Sequence, residues 1–147
     1  MDSLTPEQRS RQMSLVRSKG TRPEMIVRRT VHAMGYRYRP HVRSLPGSPD
    51  LVFPSRRAVI MAHGCFWHRH DNCPLARTPK ARQEFWVPKL EANQKRDERA
   101  LLDLKELGWR VLAVWECQLR NMDETRERLR DFLDQPSTFH SSGQVRE

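Results

Sequence analysis

The sequence lacks any long apolar run. None of its 147 residues lies in a stretch approaching the ~20 consecutive apolar residues that a membrane-spanning helix needs. Mean hydropathy is −0.82, which is typical of a chain in contact with water. An N-terminal leader with a charged start and an apolar centre is missing as well. We therefore expect a protein with no membrane span and no secretory signal.

Cysteine is also scarce. The three residues Cys65, Cys73 and Cys117 are an odd number, so they cannot all pair into disulfides within one chain. Without an export signal we expect a reducing compartment, where cysteines stay reduced. The cysteines are therefore predicted to be free, catalytic or bound to a metal.

Acidic side chains are few relative to basic ones. The chain has 27 Lys and Arg against 18 Asp and Glu, a formal net charge of +9. Residues 1–100 carry 20 basic and 9 acidic side chains, a balance of +11, whereas residues 101–147 carry 7 and 9. A polyanion such as nucleic acid is the simplest partner for this charge. A basic surface with no specific ligand is the alternative.

The patterns that are present predict a mixed α/β domain. Capping sequences predict that helices begin near Thr5, Thr21 and Asn121, and a further helix is expected to start around Pro88 and end at Leu107. Short apolar runs predict four strands, at residues 36–39, 50–53, 58–62 and 109–115. The second and third should form a hairpin. The last is mostly apolar and is expected at the centre of the sheet.

The chain is predicted to have three parts. Residues 1–20 form an N-terminal helical arm with a thin apolar face, residues 21–134 form the folded domain, and residues 135–147 form a disordered tail. A length of 147 residues fits one domain and is too short for two well-buried cores. We therefore expect a single α/β domain with a mixed central sheet flanked by helices.

A metal site is predicted around the cysteines. Cys65, His70 and Cys73 lie close together in a polar segment without periodicity, and Cys117 follows the last predicted strand. Three thiolates and one imidazole suit tetrahedral Zn²⁺, and four protein ligands make a closed, structural site. Such a metal would order a loop that has no apolar core of its own. Three unrelated buried cysteines are the alternative.

One carboxylate and two imidazoles stand near the ends of the hairpin strands. Asp50 begins one strand, His63 follows the other, and His68 comes five residues later. Such a set can hydrolyse a phosphodiester, since a carboxylate can hold Mg²⁺, one imidazole can take a proton from water and the other can assist the leaving oxygen. In the alternative, Asp50 caps a turn and the histidines are further zinc ligands.

Aromatic and basic residues flank this set. Three large aromatics stand in or beside the polar loop: Phe66, Trp67 and Trp86. They either wedge between DNA base pairs or cover the metal site and fill the core. Lys89, Asn93 and Arg96 share one helix face, where they can contact bases and phosphates. A solvated helix face is the alternative.

Together these motifs resemble the very-short-patch repair endonucleases, a family of T:G mismatch nicking enzymes. The resemblance covers residues 9–133 and is carried by LPGSPD at 45–50, HGCFWH at 63–68, EFW at 84–86, ELGWRVL at 106–112 and WEC at 115–117. It implies a restriction-endonuclease-like core with a bound zinc. It also implies Mg²⁺-dependent nicking of DNA 5′ to the T of a T:G mismatch, which arises when 5-methylcytosine deaminates.

The resemblance further implies roles for single residues. Asp50 would bind Mg²⁺ together with the backbone carbonyl of Ala62, which stands where the family typically has Thr. His63 and His68 would be the catalytic imidazoles, and Glu24 matches an acid near the active site. The strand that ends at His63 lacks the second carboxylate and Lys of most restriction-type nucleases, so the histidines must replace that pair.

The remaining implied roles concern zinc and DNA. The four Cys and His residues of the predicted metal site would hold Zn²⁺, in a loop one residue longer than usual between His70 and Cys73. The three aromatics would form an intercalating wedge, and Met13 would enter from the opposite groove. Lys89 and Asn93 would contact the mismatch.

The expected partner is therefore double-stranded DNA with a T:G mismatch. Other mismatch-repair proteins are expected partners as well, and we expect a monomer in a bacterial-type cytoplasm, associated with the nucleoid. Two alternatives stay open. One is a related restriction-type endonuclease that needs no mismatch, and the other is a zinc-containing DNA-binding module without catalysis.

Overall fold

The structure, a computed structural model, describes residues 21–135. Its α-helices and strands follow in this order: α1 Arg22–Ala33, β1 Arg39–Pro40, β2 Leu51–Phe53, β3 Ala58–His63, α2 Gln83–Glu106, β4 Arg110–Trp115 and α3 Met122–Asp134. The predicted arm at residues 1–20 and residues 136–147 of the predicted tail lie outside the described residues. The described part is a small α/β domain, as the sequence predicts.

The four strands form one mixed sheet in the order β1-β2-β3-β4. Strands β2 and β3 make the predicted antiparallel hairpin, with Leu51 opposite Ile60. Strand β3 pairs in parallel with β4, so that His63 lies opposite Trp115. As a consequence, the chain before β2 and the chain after β3 and β4 meet at one end of the sheet, where these strands begin or finish.

Two strand predictions are wrong. Within residues 21–135, β4 lies at the edge of the sheet, and β3, all of whose residues are buried, lies between β2 and β4. The first strand is Arg39–Pro40 rather than residues 36–39. The two tyrosines before it face other partners: the Tyr36 hydroxyl donates to Asp134 at 2.8 Å, and the Tyr38 hydroxyl accepts from Arg28 at 2.9 Å.

Helix α2 begins earlier than predicted. It starts at Gln83, so Pro88 lies inside the helix, beyond its first turn. Leu107, predicted on the apolar face, is 52% exposed because the helix ends at Glu106 and Gly108 then turns the chain with φ +91°. At 24 residues α2 is the longest helix of the described part. Among the described residues, no helix has an apolar stretch that could span a membrane.

Helices cover both faces of the sheet. On one face, Val31 of α1 and Leu129 of α3 pack in a cluster with Ile60. On the other face, Leu104 of α2 packs in a cluster with Val59. Full burial of such an aliphatic side chain stabilises a fold by about 1.5–3 kcal/mol. The two layers therefore hold the hairpin rigidly. They also fix the end of the sheet where β2 begins and β3 finishes.

Candidate active site

The hairpin brings Asp50 and His63 together at the end of the sheet where β2 begins and β3 finishes. Asp50 comes directly before β2, and its Oδ2 accepts a hydrogen bond from Ala62 N at 2.8 Å. His63 is the last residue of β3 and is 8% exposed. A tight turn joins the strands, with Arg57 in the left-handed region at φ +51°. The carboxylate and the imidazole are thus set by backbone pairing and a short connection.

Burial makes Asp50 hard to ionise. Desolvation raises the pKa of Asp50 to about 6, and the nearby charge of Glu24 adds to the rise. The hydrogen bond from Ala62 N and the charges of His41 and His68 act in the opposite direction. The folded chain therefore holds this proton more tightly than the unfolded chain, and the stability linked to it is lost as pH rises through about 6.

Asp50→Asn is therefore expected to stabilise the fold at neutral pH. The shift from 3.8 to about 6 corresponds to about 3 kcal/mol, or roughly 5–10 °C in Tm. The gain should be present at pH 7.5 and absent at pH 4, where wild-type Asp50 is protonated. Thermal unfolding without added divalent cation measures it. Asp131→Asn, which makes the same change of side chain at an exposed position, is the control. A less stable Asp50→Asn protein at pH 7.5 would contradict the expectation.

The two imidazoles form a stacked pair. The ring centroids of His63 and His68 lie 3.9 Å apart with 9° between the planes. Burial, followed by the charge of His68, lowers the pKa of His63 to about 4, so this ring is neutral at physiological pH. His68 Nδ1 lies 2.5 Å from Asp97 Oδ2 on α2. Because the carboxylate orients the ring and supports a positive charge on it, His68 is suited to accept a proton.

A second carboxylate is buried beside Asp50. Glu24 lies in the first turn of α1, where Thr21 caps the helix, and it is 1% exposed. Its Oε2 lies 2.7 Å from His41 Nε2 and 3.6 Å from Arg28 Nη1. One ligand atom each from Glu24, His41 and Asp50 lies within 4.8 Å of the others. This cluster joins a helix start, a loop and a strand start.

Sequence reasoning missed Asp97 and His41. Asp97 lies on α2 four residues after Asn93 and so shares its helix face, which is a signal that could have identified it. His41 lies in a polar segment without periodicity, and only the strand pairing brings it to the site. These two residues complete the set around the predicted Asp50, His63 and His68.

All these groups line one cleft of about 610 Å³. Its walls come from α1, the segment before β2, the end of β3 and α2. The carboxylates of Asp50 and Glu24 offer hard oxygen donors, which Mg²⁺ prefers. Ala62 also lines the cleft. The donor set therefore fits a divalent cation next to the two imidazoles.

The four predicted zinc ligands converge into a separate cluster. One ligand atom each of Cys65, His70, Cys73 and Cys117 lies within 4.8 Å of the others. His70 Nδ1 is 3.6 Å from Cys65 Sγ and 3.4 Å from Cys117 Sγ. Burial raises the pKa of the Cys65 thiol to about 12, so a bound cation is what could keep it as a thiolate. Three sulfurs and one imidazole fit a tetrahedral soft-metal site.

Trp115 lies between the two clusters. Its ring stacks on His70 with centroids 4.1 Å apart and 8° between the planes. The same ring meets His63 edge-on at 4.9 Å. In addition, Cys65 N donates to Glu116 Oε1 at 3.3 Å. The strand end at 115–117 therefore contacts the Cys/His cluster and the imidazole pair together.

The predicted wedge residues pack together near the cleft. Phe66 lies edge-on to Trp67 at 5.0 Å and to Trp86 at 5.2 Å. Phe66 and Trp67 are partly exposed, whereas Trp86 is 8% exposed and also contacts Phe85. The cluster thus has an accessible part, formed by the loop, and a buried support on α2. Met13, the predicted residue of the opposite groove, lies outside the described residues.

The predicted contact face of α2 is partly buried. Asn93 is 5% exposed, and its amide donates to Trp67 O at 3.2 Å and accepts from Arg96 Nη2 at 2.5 Å. Lys89 is partly exposed and Arg96 is exposed. Asn93 therefore connects the aromatic cluster to a cationic side chain at the wall of the cleft.

A basic α/β domain with carboxylates and paired imidazoles in one cleft, beside a Cys/His cluster, is chemically suited to the hydrolysis of phosphodiesters. The profile of a protein family described as DNA mismatch endonuclease Vsr matches residues 1–74. The chain belongs to the Vsr family of DNA endonucleases, and it is thus a DNA-cleaving hydrolase.

Relatives cover most of the chain. It is 51% identical over 133 residues to the type II nicking enzyme V.XorIIP of Xanthomonas oryzae pv. oryzae, covering 90% of this chain and 97% of the relative. It is 42% identical over 128 residues to the DNA mismatch endonuclease Vsr of Escherichia coli, covering 86% and 81%. It is 38% identical over 128 residues to the type II nicking enzyme V.NmeAIP of Neisseria meningitidis, covering 87% and 91%. The family recognised from the motifs is therefore confirmed.

Proposed function

We propose that this endonuclease nicks duplex DNA 5′ to the T of a T:G mismatch and so starts repair of deaminated 5-methylcytosine. The observation that carries the proposal is the cleft in which Asp50, His63 and His68 meet beside the partly exposed aromatics of the 64–68 loop. A relative named DNA mismatch endonuclease supports the substrate. The cell compartment that follows is the bacterial cytoplasm, where the nucleoid lies.

The proposed mechanism assigns separate tasks to the main groups in the cleft. Asp50 would hold Mg²⁺ together with the carbonyl of Ala62, and the ion would supply charge neutralisation at the phosphate and lower the pKa of bound water. His68, oriented by Asp97, takes the proton of the attacking water. His63, neutral at physiological pH, donates an N–H hydrogen bond to a phosphate oxygen. Glu24 shares the buried pocket of Asp50.

The surrounding residues are proposed to distort and hold the DNA. Phe66 and Trp67 insert between base pairs, supported by Trp86, and unstacking costs a few kcal/mol per step. Arg96 and Lys89 contact phosphates or base edges, and Asn93 holds Trp67 in place. The Cys/His cluster would hold Zn²⁺ as a structural ion that orders the loop carrying the wedge.

A nicking assay with Mg²⁺ tests the proposal. Duplexes with each strand labelled in turn, carrying T:G, T:A or C:G at one position, are incubated in a panel of flanking sequences. We expect a nick in the T strand only, at a rate about 10- to 100-fold above matched duplexes, since a wrong base pair typically changes recognition by about 1–3 kcal/mol. The assay uses the full chain.

Relatives named type II nicking enzymes support a second candidate, nicking without a mismatch. Equal rates on T:G and matched duplexes would establish this candidate and contradict the first. Binding without any nicking, in every context and with every divalent cation tried, would contradict both and leave only a DNA-binding role.

A further inference from the structure

His41 lies in the cleft but has no role in the mechanism above. It follows β1 directly, and its φ of +52° lies in the left-handed region, which costs energy for a residue with a side chain. Its backbone N–H donates to Asp50 O at 3.3 Å, which continues the pairing of β1 with β2. Strained backbone that persists in a well-packed fold is often found where a side chain must be aimed.

The side chain of His41 is aimed at Glu24. Its Nε2 lies 2.7 Å from Glu24 Oε2, with the imidazole 18% and the carboxylate 2% exposed. Ligand atoms of both residues and of Asp50 lie within 4.8 Å of one another. Two buried carboxylates this close repel each other when both are ionised. A donor that fixes one of them lowers the cost of keeping both in place for a cation.

The same contact defines the orientation of the carboxylate. Glu24 sits in the first turn of α1, and its Oε2 also lies 3.6 Å from Arg28 Nη1 on the same helix. His41 approaches from a different element, after β1. The two contacts therefore hold the carboxylate between α1 and the end of the sheet, on the side where Asp50 lies. Hydrogen-bonded partners of carboxylates near a metal typically change metal affinity 10- to 100-fold when removed.

We propose that His41 is a positioning residue, which fixes the Glu24 carboxylate beside Asp50 and thereby sets the affinity of the cleft for a divalent cation. This inference deepens the proposed function. Only the cleavage test depends on that function, because cation binding is measured on the protein alone. We expect its action to require only a polar N–H at the position of Nε2, which lies 2.7 Å from Glu24 Oε2, rather than the imidazole itself. Gln, whose amide N–H can reach a similar position, should therefore replace it, whereas Ala should not.

Cation binding to the protein alone gives the first test. Mn²⁺, a paramagnetic substitute for Mg²⁺, is titrated into the full chain loaded with Zn²⁺ but without DNA, and free Mn²⁺ is followed by electron paramagnetic resonance. We expect His41→Ala to weaken binding about 10-fold. The Mn²⁺ affinity of His41→Gln should stay within about threefold of wild type. The control His32→Gln, which changes an exposed imidazole, should bind Mn²⁺ as tightly as wild type. In a Glu24→Gln background, His41→Ala should cause no further loss.

Cleavage kinetics give the second test. The Mg²⁺ concentration for half-maximal cleavage should rise in His41→Ala by the same factor, while the rate at saturating Mg²⁺ changes by less than about threefold. Unchanged Mn²⁺ affinity in His41→Ala, equal losses in the Ala and Gln variants, or a further loss in the Glu24→Gln background would each overturn the proposal. A wild-type protein that cuts no duplex would refute the proposed function, and Mn²⁺ binding would still decide the role of His41.

Discussion

Replacement of His68 by Ala is expected to slow DNA cleavage by about 100- to 10,000-fold, the usual contribution of a general acid or base. The physical reason is that His68 alone in the cleft combines a neighbouring carboxylate, Asp97, with a stacked partner ring, His63. Ala removes the proton acceptor and leaves the carboxylates for the cation unchanged. Single-turnover nicking of the preferred duplex measures the rate, and a gel-shift titration measures DNA affinity, which should change little.

Two matched variants make this result specific. His32→Ala removes an exposed imidazole from α1 and should leave the cleavage rate unchanged. Asp97→Asn keeps the shape of the side chain but removes its charge, so it should cause a smaller loss than His68→Ala. Wild-type cleavage by the His68→Ala protein would show that the imidazole takes no part in the reaction. An equal loss of rate and of DNA affinity would show that it serves binding instead.

Cys73→Ser is expected to release the proposed zinc ion of the Cys/His cluster and to destabilise the fold. Purified wild type should contain about one zinc per chain, and the variant far less, because one of four ligands in a closed site is lost. Structural zinc contributes directly to folding free energy, so we expect the free energy of unfolding to fall by several kcal/mol and Tm by about 10 °C or more. Metal analysis and thermal unfolding measure the two effects.

Since all three cysteines belong to the cluster, histidines provide the matched comparison. His70→Ala should lose zinc and stability as Cys73→Ser does, whereas His32→Ala should keep both. A chelator should lower the Tm of wild type toward that of Cys73→Ser and leave the variant unaffected. Full zinc content in Cys73→Ser, or a wild-type protein purified without any metal, would remove the basis of the zinc assignment.

The hairpin and the placement of Asp50 and His63 at its end are predictable from the sequence because they depend on short-range features. Asp50 and His63 are separated by two short apolar runs and one turn. Antiparallel pairing of these runs therefore places both residues at the same end of the sheet. The spacing of Cys65, His70 and Cys73 likewise lies within one loop. Local sequence was sufficient for both cases. The approach of Cys117 to this loop depends on the longer-range prediction that its strand ends beside the loop.

Long-range packing accounts for what the sequence could not predict. The apolar content of β4 reflects helices on both faces of the sheet, so it says nothing about whether the strand lies at the centre or the edge. Asp97 is 29 residues from His68, and only the course of α2 across the sheet brings them together. His41 depends in the same way on strand pairing and on a left-handed backbone. These positions become visible once tertiary contacts are known.

The position of Trp115 has a consequence for how the Cys/His cluster and the imidazole pair depend on each other. Its ring rests on His70 of the Cys/His cluster and against His63 of the imidazole pair. We therefore expect loss of the proposed ion from the Cys/His cluster to shift the imidazole pair through this one ring, although the two sites share no residue.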